Sequence, residues 1–277
     1  TLEFIKLIKN KTIMNKQTIL ITGATSGLGY EIAMQYATPH VRLILVGRNV
    51  YQLNKIANLC NLRGAQTHLL ALDIREKKAL TDHLTDFCNQ YGIDIVVACA
   101  GVSAGTLQGP ESPSQVQTIF DTNINGVLNT IMPIIPHMIK RRKGNIVIIS
   151  SMAGLIGLSS APSYSASKAC IRVFGEALRG YLKQYNVHTT VVIPGYIKTP
   201  MTEVNNFPMP FIISAEKAAQ KIIKGVSNNK GVIAFPTTIY LLLKCFNTLP
   251  NQLIDYINSK IPGKPAFENN EPKEDDQ

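Results

Sequence analysis

Tyr164 and Lys168 lie four residues apart in the run Tyr164-Ser165-Ala166-Ser167-Lys168, and on a helix that spacing puts a phenol and an ammonium on one face. An ammonium beside a phenol lowers its pKa. An unperturbed phenol, at about 10, exchanges protons poorly near neutral pH, so the pair is a candidate proton-transfer device. Upstream stands Thr22-Gly23-Ala24-Thr25-Ser26-Gly27-Leu28-Gly29, a candidate cradle for a dinucleotide phosphate. Its glycines permit a tight turn and close backbone approach, and the N-terminus of a following helix favours negative charge. Either feature alone arises often by chance. Together, and in this order, they point to proton transfer beside a redox cofactor.

The elements between them must bring the two runs to one place. Residues 17–22 form a short apolar run ending in the glycine turn, and 30–37 carry apolar residues at helical spacing. Further strands are predicted at 41–46, 68–72, 93–98, 145–150 and 187–193. Helices are predicted at 49–62, 77–91, 114–141 and from the Tyr164 region to about Tyr185. This alternation, with near-continuous apolar strands, predicts an α/β fold: a Rossmann-type doubly wound parallel sheet with helices on both faces, in a single domain. Ligands bind such sheets beyond the carboxyl ends of the strands, where the candidate residues fall. The expected organisation is an N-terminal extension at 1–15, a dinucleotide-binding catalytic domain at 16–235, an amphipathic helical extension at 236–265 and an acidic tail at 266–277, expected to be disordered.

Hydrophobic residues make up 45% of the 277 and charged residues 17%, which suits a sizeable core and argues against a disordered chain. The formal charge is +10, although the last ten residues hold five acids and one lysine. A basic body suits phosphorylated ligands or anionic lipid. Without a zinc-finger pattern, a recognition-helix pattern or aromatics among basic runs, no nucleic-acid partner is expected. Cys60, Cys88, Cys99, Cys170 and Cys245 are odd in number, widely spaced and free of any Cys-x2-Cys pair. That predicts reduced thiols in a cytoplasmic setting. The histidines are scattered too, and no metal site is expected. The start, Thr1 to Lys9, is basic and partly apolar but lacks the features of a signal peptide. Residues 1–13 read equally as an upstream extension before Met14 or as a basic surface arm.

Over roughly residues 16–235 the chain resembles the classical short-chain dehydrogenase/reductase family. The family's Thr-Gly-x3-Gly-x-Gly pattern is matched by Thr22, Gly23, Gly27 and Gly29. The resemblance implies a catalytic set of Asn123, Ser151, Tyr164 and Lys168, with Ser151 thirteen residues before the tyrosine. Neighbouring strand residues point to opposite sides, so Ser150 is expected to bond within the sheet or loop. The resemblance also implies dinucleotide contacts from Gly23, Thr25, Ser26, Gly27, Leu28 and Gly29, from Asp73 and Ile74, and from Ala100 and Gly101. Tyr164, Lys168, Pro194, Gly195, Ile197 and Thr199 complete that set. A helix N-cap is the competing reading of Asp73. NAD-preferring relatives end the second strand with an acid, but here that position is Gly47, followed by Arg48. A guanidinium suits a 2′-phosphate by charge and by its forked donors, so NADP(H) is the expected cofactor. The usual Asn-Asn-Ala-Gly after the fourth strand is Ala98-Cys99-Ala100-Gly101, and Cys99 is expected to be a buried structural thiol.

The implied activity is hydride transfer between a nicotinamide and a carbonyl or secondary alcohol, with Tyr164 moving the proton. A dinucleotide-binding sensor or scaffold is the alternative, although no Ser, Tyr or Lys of the set is lost. A sugar-nucleotide epimerase is disfavoured by the glycine spacing. Residues 200–211 contain two phenylalanines and two methionines, which suit an apolar or lipid-like small-molecule substrate or serve as packing for a lid. The stretch 237–261 is too interrupted by charge and Pro250 to span a bilayer. It is left with three readings: peripheral contact with a membrane surface, a cap on the cleft, or a subunit interface, with a homodimer expected. The run Lys140-Arg141-Arg142-Lys143, at a helix end before Gly144, is accounted for by the helix dipole and solvent.

Overall fold

The computed structural model describes residues 16–246 and 248–267; the expected N-terminal extension and residues 268–277 of the expected tail lie outside the described residues. The sheet is built from β1 (Gln17–Thr22), β2 (Val41–Gly47), β3 (Gln66–Ala71), β4 (Ile95–Ala98), β5 (Gly144–Ile149), β6 (Val187–Pro194) and, after the short pair β7 (Ile197–Lys198) and β8 (Ile213–Ser214), β9 (Val232–Phe235). Its seven strands run parallel in the order β3-β2-β1-β4-β5-β6-β9. All four residues of β4 are buried, as a sheet covered on both faces requires. Strand β9 was not anticipated, because four residues carry too little pattern to distinguish from a loop.

Alternation along each strand divides the core in two. Ile19, Ile21, Leu43 and Leu45 face one side, under α1 (Gly27–Tyr36), α2 (Val50–Leu62) and α9 (Ala215–Ser227). Leu20, Ile44 and Val46 face the other, under α3 (Lys77–Gln90), α5 (Gly126–Ile131), α6 (Ile135–Arg141) and α7 (Pro162–Leu182).

The single helix expected at 114–141 is instead three. Helix α4 (Pro113–Phe120) passes into a π-helical turn, Asp121–Asn125, before α5, and α6 restarts at Ile135. Two prolines explain the second break. Pro133 and Pro136 each lack an amide hydrogen and crowd the carbonyl four residues back, and Pro136 sits in the first turn of α6, where that deficiency is harmless.

Beyond β9, α10 (Thr237–Phe246) packs Ile239, Tyr240 and Leu243 against Met152, Leu155, Val191 and Ile193. Its Leu241 and Leu242, with Leu253 and Tyr256 of α11 (Asn251–Asn258), are exposed. No described helix is long and apolar enough to cross a membrane. The chain then returns as an extended strap. Leu107 N donates to Lys264 O at 2.9 Å and Gly105 N to Pro265 O at 2.8 Å. Ala266 N and Phe267 N donate to Gln108 Oε1 and Gln115 Oε1 at 2.7 and 3.1 Å. The strap therefore holds two residues that were assigned to the disordered tail.

Candidate active site

At the end of β1 the chain turns through Gly23 (φ +68°) and Gly27 (φ +52°), left-handed conformations that glycine adopts without strain. A Cβ on Gly23 would also lie 2.9 Å from Ala100 Cα. Thr22 Oγ1 accepts from the amides of Cys99 and Ala100, each at 3.2 Å, so one hydroxyl fixes the ends of β1 and β4 together. Burial pushes the Cys99 thiol up to about 12, with Lys168 pulling weakly the other way. It stays a neutral thiol at the cleft wall.

Ser150 and Ser151 face apart. The buried Ser150 Oγ donates to Lys168 O at 2.8 Å, fastening β5 to α7. Ser151 Oγ accepts from Ala153 N at 3.1 Å and, from its place beside Tyr164 in the cleft, pulls the phenol's pKa down. Fully buried Asn123 sits in the π-helical turn. Its Oδ1 accepts from Val102 N at 2.8 Å, and its Nδ2 donates to Val102 O and Ser167 Oγ at 2.9 and 3.1 Å. Such turns recur where a side chain must be re-aimed for function. A Cβ on Gly101 would lie 3.1 Å from Asn123 Oδ1 and 3.4 Å from Lys168 Nζ, so that glycine leaves room between them.

Tyr164 lies in the first turn of α7, behind Pro162. Lys168, one turn on, is buried, and its Nζ donates to Ile149 O at 3.0 Å and lies 5.8 Å from the Tyr164 ring centroid. The shared helix face is as the spacing predicts, but the expected depression of the phenol's pKa is not met in the protein alone. Burial raises it, and hydrogen bonds from Ser151 and Ser103 pull it back. Spacing sets which face a residue occupies, not how deeply it is buried. The same burial lowers Lys168 to about 8, which weakens the ammonium expected to act on the phenol.

At the far end, Arg75 takes both Asp73 oxygens, Nε at 3.1 Å to each and Nη2 at 2.8 Å to Oδ2, while Arg75 N donates to Oδ1 at 2.9 Å. Burial pushes the Asp73 carboxyl up, but the bonds from Arg75 outweigh it and leave its pKa below the ordinary value. Asp73 does not cap α3, whose N-cap is Glu76. Arg48 Nη1 is 3.8 Å from Asp73 Oδ2, and its side chain is 70% exposed. On the opposite wall, Thr199 caps α8 (Pro200–Glu203), receiving from Thr202 while Thr199 N donates to Thr202 Oγ1 at 3.1 Å.

A single cleft of about 280 Å³ at the carboxyl ends of the strands gathers these groups. Gly23, Thr25, Ser26, Gly27, Leu28, Gly29, Arg48, Asp73, Ile74, Ala100, Gly101, Ser151, Tyr164, Lys168, Pro194, Gly195, Ile197 and Thr199 all line it, and Asn123 stands behind the wall. Val102 and Thr122 line it too and were not anticipated, although each adjoins a residue that was, and Met201 and Thr202 line it from the 200–211 segment read as shaping the substrate region. Ser103 and Lys264 carried no such signal.

The chain matches the short chain dehydrogenase family over residues 17–208. It is 35% identical over 244 residues to an uncharacterized oxidoreductase of Myxococcus xanthus, covering 87% of this chain and 96% of that one. It is 34% identical over 208 residues to dehydrogenase/reductase SDR family member 7B of Xenopus tropicalis, covering 72% and 67%. Its fold is similar to a short-chain dehydrogenase from Sphingobium yanoikuyae in complex with NADPH, with TM-score 0.74, 21% identity and coverage of 89% and 96%. A short chain dehydrogenase from Mycobacterium paratuberculosis bound to NAD gives TM-score 0.70, 23% identity and coverage of 80% and 96%. Kinship over most of the chain, on top of the shared sheet, makes this protein a member of the short-chain dehydrogenase/reductase family, with that family's oxidoreductase fold.

Proposed function

We propose that this protein is an NADP(H)-dependent oxidoreductase that interconverts a carbonyl and a secondary alcohol, with Ser151, Tyr164, Lys168 and Asn123 as its working residues. The observation that carries this reading is the single cleft in which a glycine-rich turn at one end and the Ser151–Tyr164 pair at the other are continuous. Structures similar in fold have been obtained with NAD and with NADPH, so preference between the two rests on this chain's own residues. Gly47 supplies no acid for the adenosine ribose, and a Cβ there would lie 2.7 Å from Thr25 Cγ2. The next residue is the exposed Arg48, whose charge suits a 2′-phosphate.

When bound, the nicotinamide supplies or accepts the hydride. Tyr164 gives its phenolic proton to the substrate oxygen in reduction and takes it back in oxidation, while Ser151 hydrogen-bonds the same oxygen. Lys168 holds ribose hydroxyls and supports the phenolate. Asn123, fixed by Val102 and Ser167, keeps the π-helical turn that seats the proton path toward Lys168. Exposed Phe211 and half-exposed Met201, which lines the cleft, favour an apolar substrate.

The test is NADPH oxidation against a panel of carbonyl compounds, with Tyr164→Phe alongside. Turnover falls by on the order of a hundredfold or more in that variant, and NADPH binding measured by cofactor fluorescence is retained. Undiminished turnover in Tyr164→Phe removes the phenol from the chemistry.

A further inference from the structure

Lys264 lies on the strap after α11, outside the dinucleotide cleft, yet it reaches the same phenol. Its Nζ donates to Ser103 Oγ at 2.6 Å, and Ser103 in turn stands beside the Tyr164 hydroxyl, where it pulls the phenol's pKa down. The ammonium is 5.6 Å from the Tyr164 ring centroid, against 5.8 Å for Lys168. Two cations thus flank one ring, one from the same helix and one from the end of the chain.

The strap is seated for this contact. Its backbone is bonded to Gly105 and Leu107, and a Cβ on Gly105 would lie 2.6 Å from Lys264 Cβ and 2.7 Å from Lys264 O. Only a residue without a side chain lets the strap lie this close. The nearby acid, Glu111, is engaged elsewhere: it accepts from Ser163 N, Ser163 Oγ and Gln115 Nε2 at 3.0, 2.8 and 3.3 Å. Burial lowers Lys264 to about 8, and no acid offsets that shift.

We propose that Lys264 is a positioning residue for the proton-transfer step, acting on Tyr164 through Ser103, so that the C-terminal strap is part of the active site. A serine hydroxyl that accepts from the Lys264 nitrogen is held with its own hydrogen on the other side, and donation of that hydrogen to the phenolic oxygen favours the phenolate over the phenol whether Lys264 is charged or neutral. The groups that face Tyr164 are Lys168 from α7, Ser151 after β5, Ser103 after β4 and Lys264 from the strap. Of these, the two lysines titrate. The inference rests on the reading of Tyr164 as the proton carrier.

The experiment is a pH titration, on the full chain, of a fluorinated tyrosine incorporated at position 164 and read by fluorine NMR, which needs no substrate. Lys264→Met raises the midpoint by about one pH unit, so phenolate at a given pH below it falls about tenfold. Lys264→Arg stays near the parent. Ser103→Ala, which leaves the strap backbone untouched, reproduces the rise, and the double variant adds little to either single one. A midpoint unmoved by Lys264→Met or by Ser103→Ala overturns the proposal and leaves Lys264 as a brace for the strap or a substrate anchor. A protein whose midpoints move as expected but which turns over no carbonyl compound with NADPH would contradict the proposed function and not this coupling.

Discussion

In the proposed function, the cofactor preference would be set at Arg48 and by the acid that its neighbour Gly47 lacks. Asp73 is already met by both arms of Arg75, so the 3.8 Å contact to Arg48 is a surface pair that costs little to open. The guanidinium is available to an added phosphate. Arg48→Ala lowers kcat/KM for NADPH by roughly ten- to a hundredfold, the equivalent of about 1.5–3 kcal/mol for a charged hydrogen bond, and leaves the NADH value nearly unchanged. Steady-state kinetics with both cofactors check this, and equal losses would assign Arg48 a structural role instead. At this scale most of the cleft was legible, because its residues lie in short runs whose glycines and prolines have few other uses at strand ends. Ser103 and Lys264 were not legible. They are 161 positions apart, and only the folded chain makes them neighbours.

Among the elements, the six expected strands are present with their bounds shifted by at most about two residues and the short β7, β8 and β9 were missed; the region 114–141 was misread because its apolar spacing continues across Pro133 and Pro136 while the backbone does not. The basic run after it was read as solvated. Two of its members have a fixed task instead. Buried Asp94, between α3 and β4, accepts from Thr18 N at 3.0 Å and from Arg141 Nη2 at 2.6 Å, and pairs with Lys143 Nζ at 3.0 Å. That carboxylate fastens the start of β1 to the end of α6. Burial pushes its pKa up, but the Thr18 amide and the two cations outweigh it and leave it below 3.8. Asp94→Asn therefore costs about 3 kcal/mol at neutral pH, the scale of breaking a buried ion pair. The sign follows from the depressed pKa: the stabilisation is complete above the unfolded carboxyl's value and is lost as pH falls through the folded one. Urea unfolding of the two proteins should differ at pH 7 and converge in acid. A constant difference across that range would mean that shape, not charge, is what Asp94 contributes.

Over the whole molecule, the sheet and its cleft form one unit and the C-terminal segment adds to it from outside. Every residue lining the cleft lies between Gly23 and Thr202. Ending the chain after Ile261 therefore keeps NADPH affinity within about threefold, the low end expected where two sites share only one partner, here Tyr164; a fluorescence titration with the cofactor measures it. A larger loss would show that the strap props the cleft as well as the phenol. The parallel sheet was predictable as a class because buried strands must be apolar throughout, whereas the strap has no periodicity to betray it. Its docking onto residues 105–107 is among the contacts most distant along the chain, and such contacts close late in folding. During synthesis the glycine-rich turn can therefore form on a nascent chain that still lacks Lys264, so that, on the proposed function, cofactor binding can precede completion of the acid–base centre.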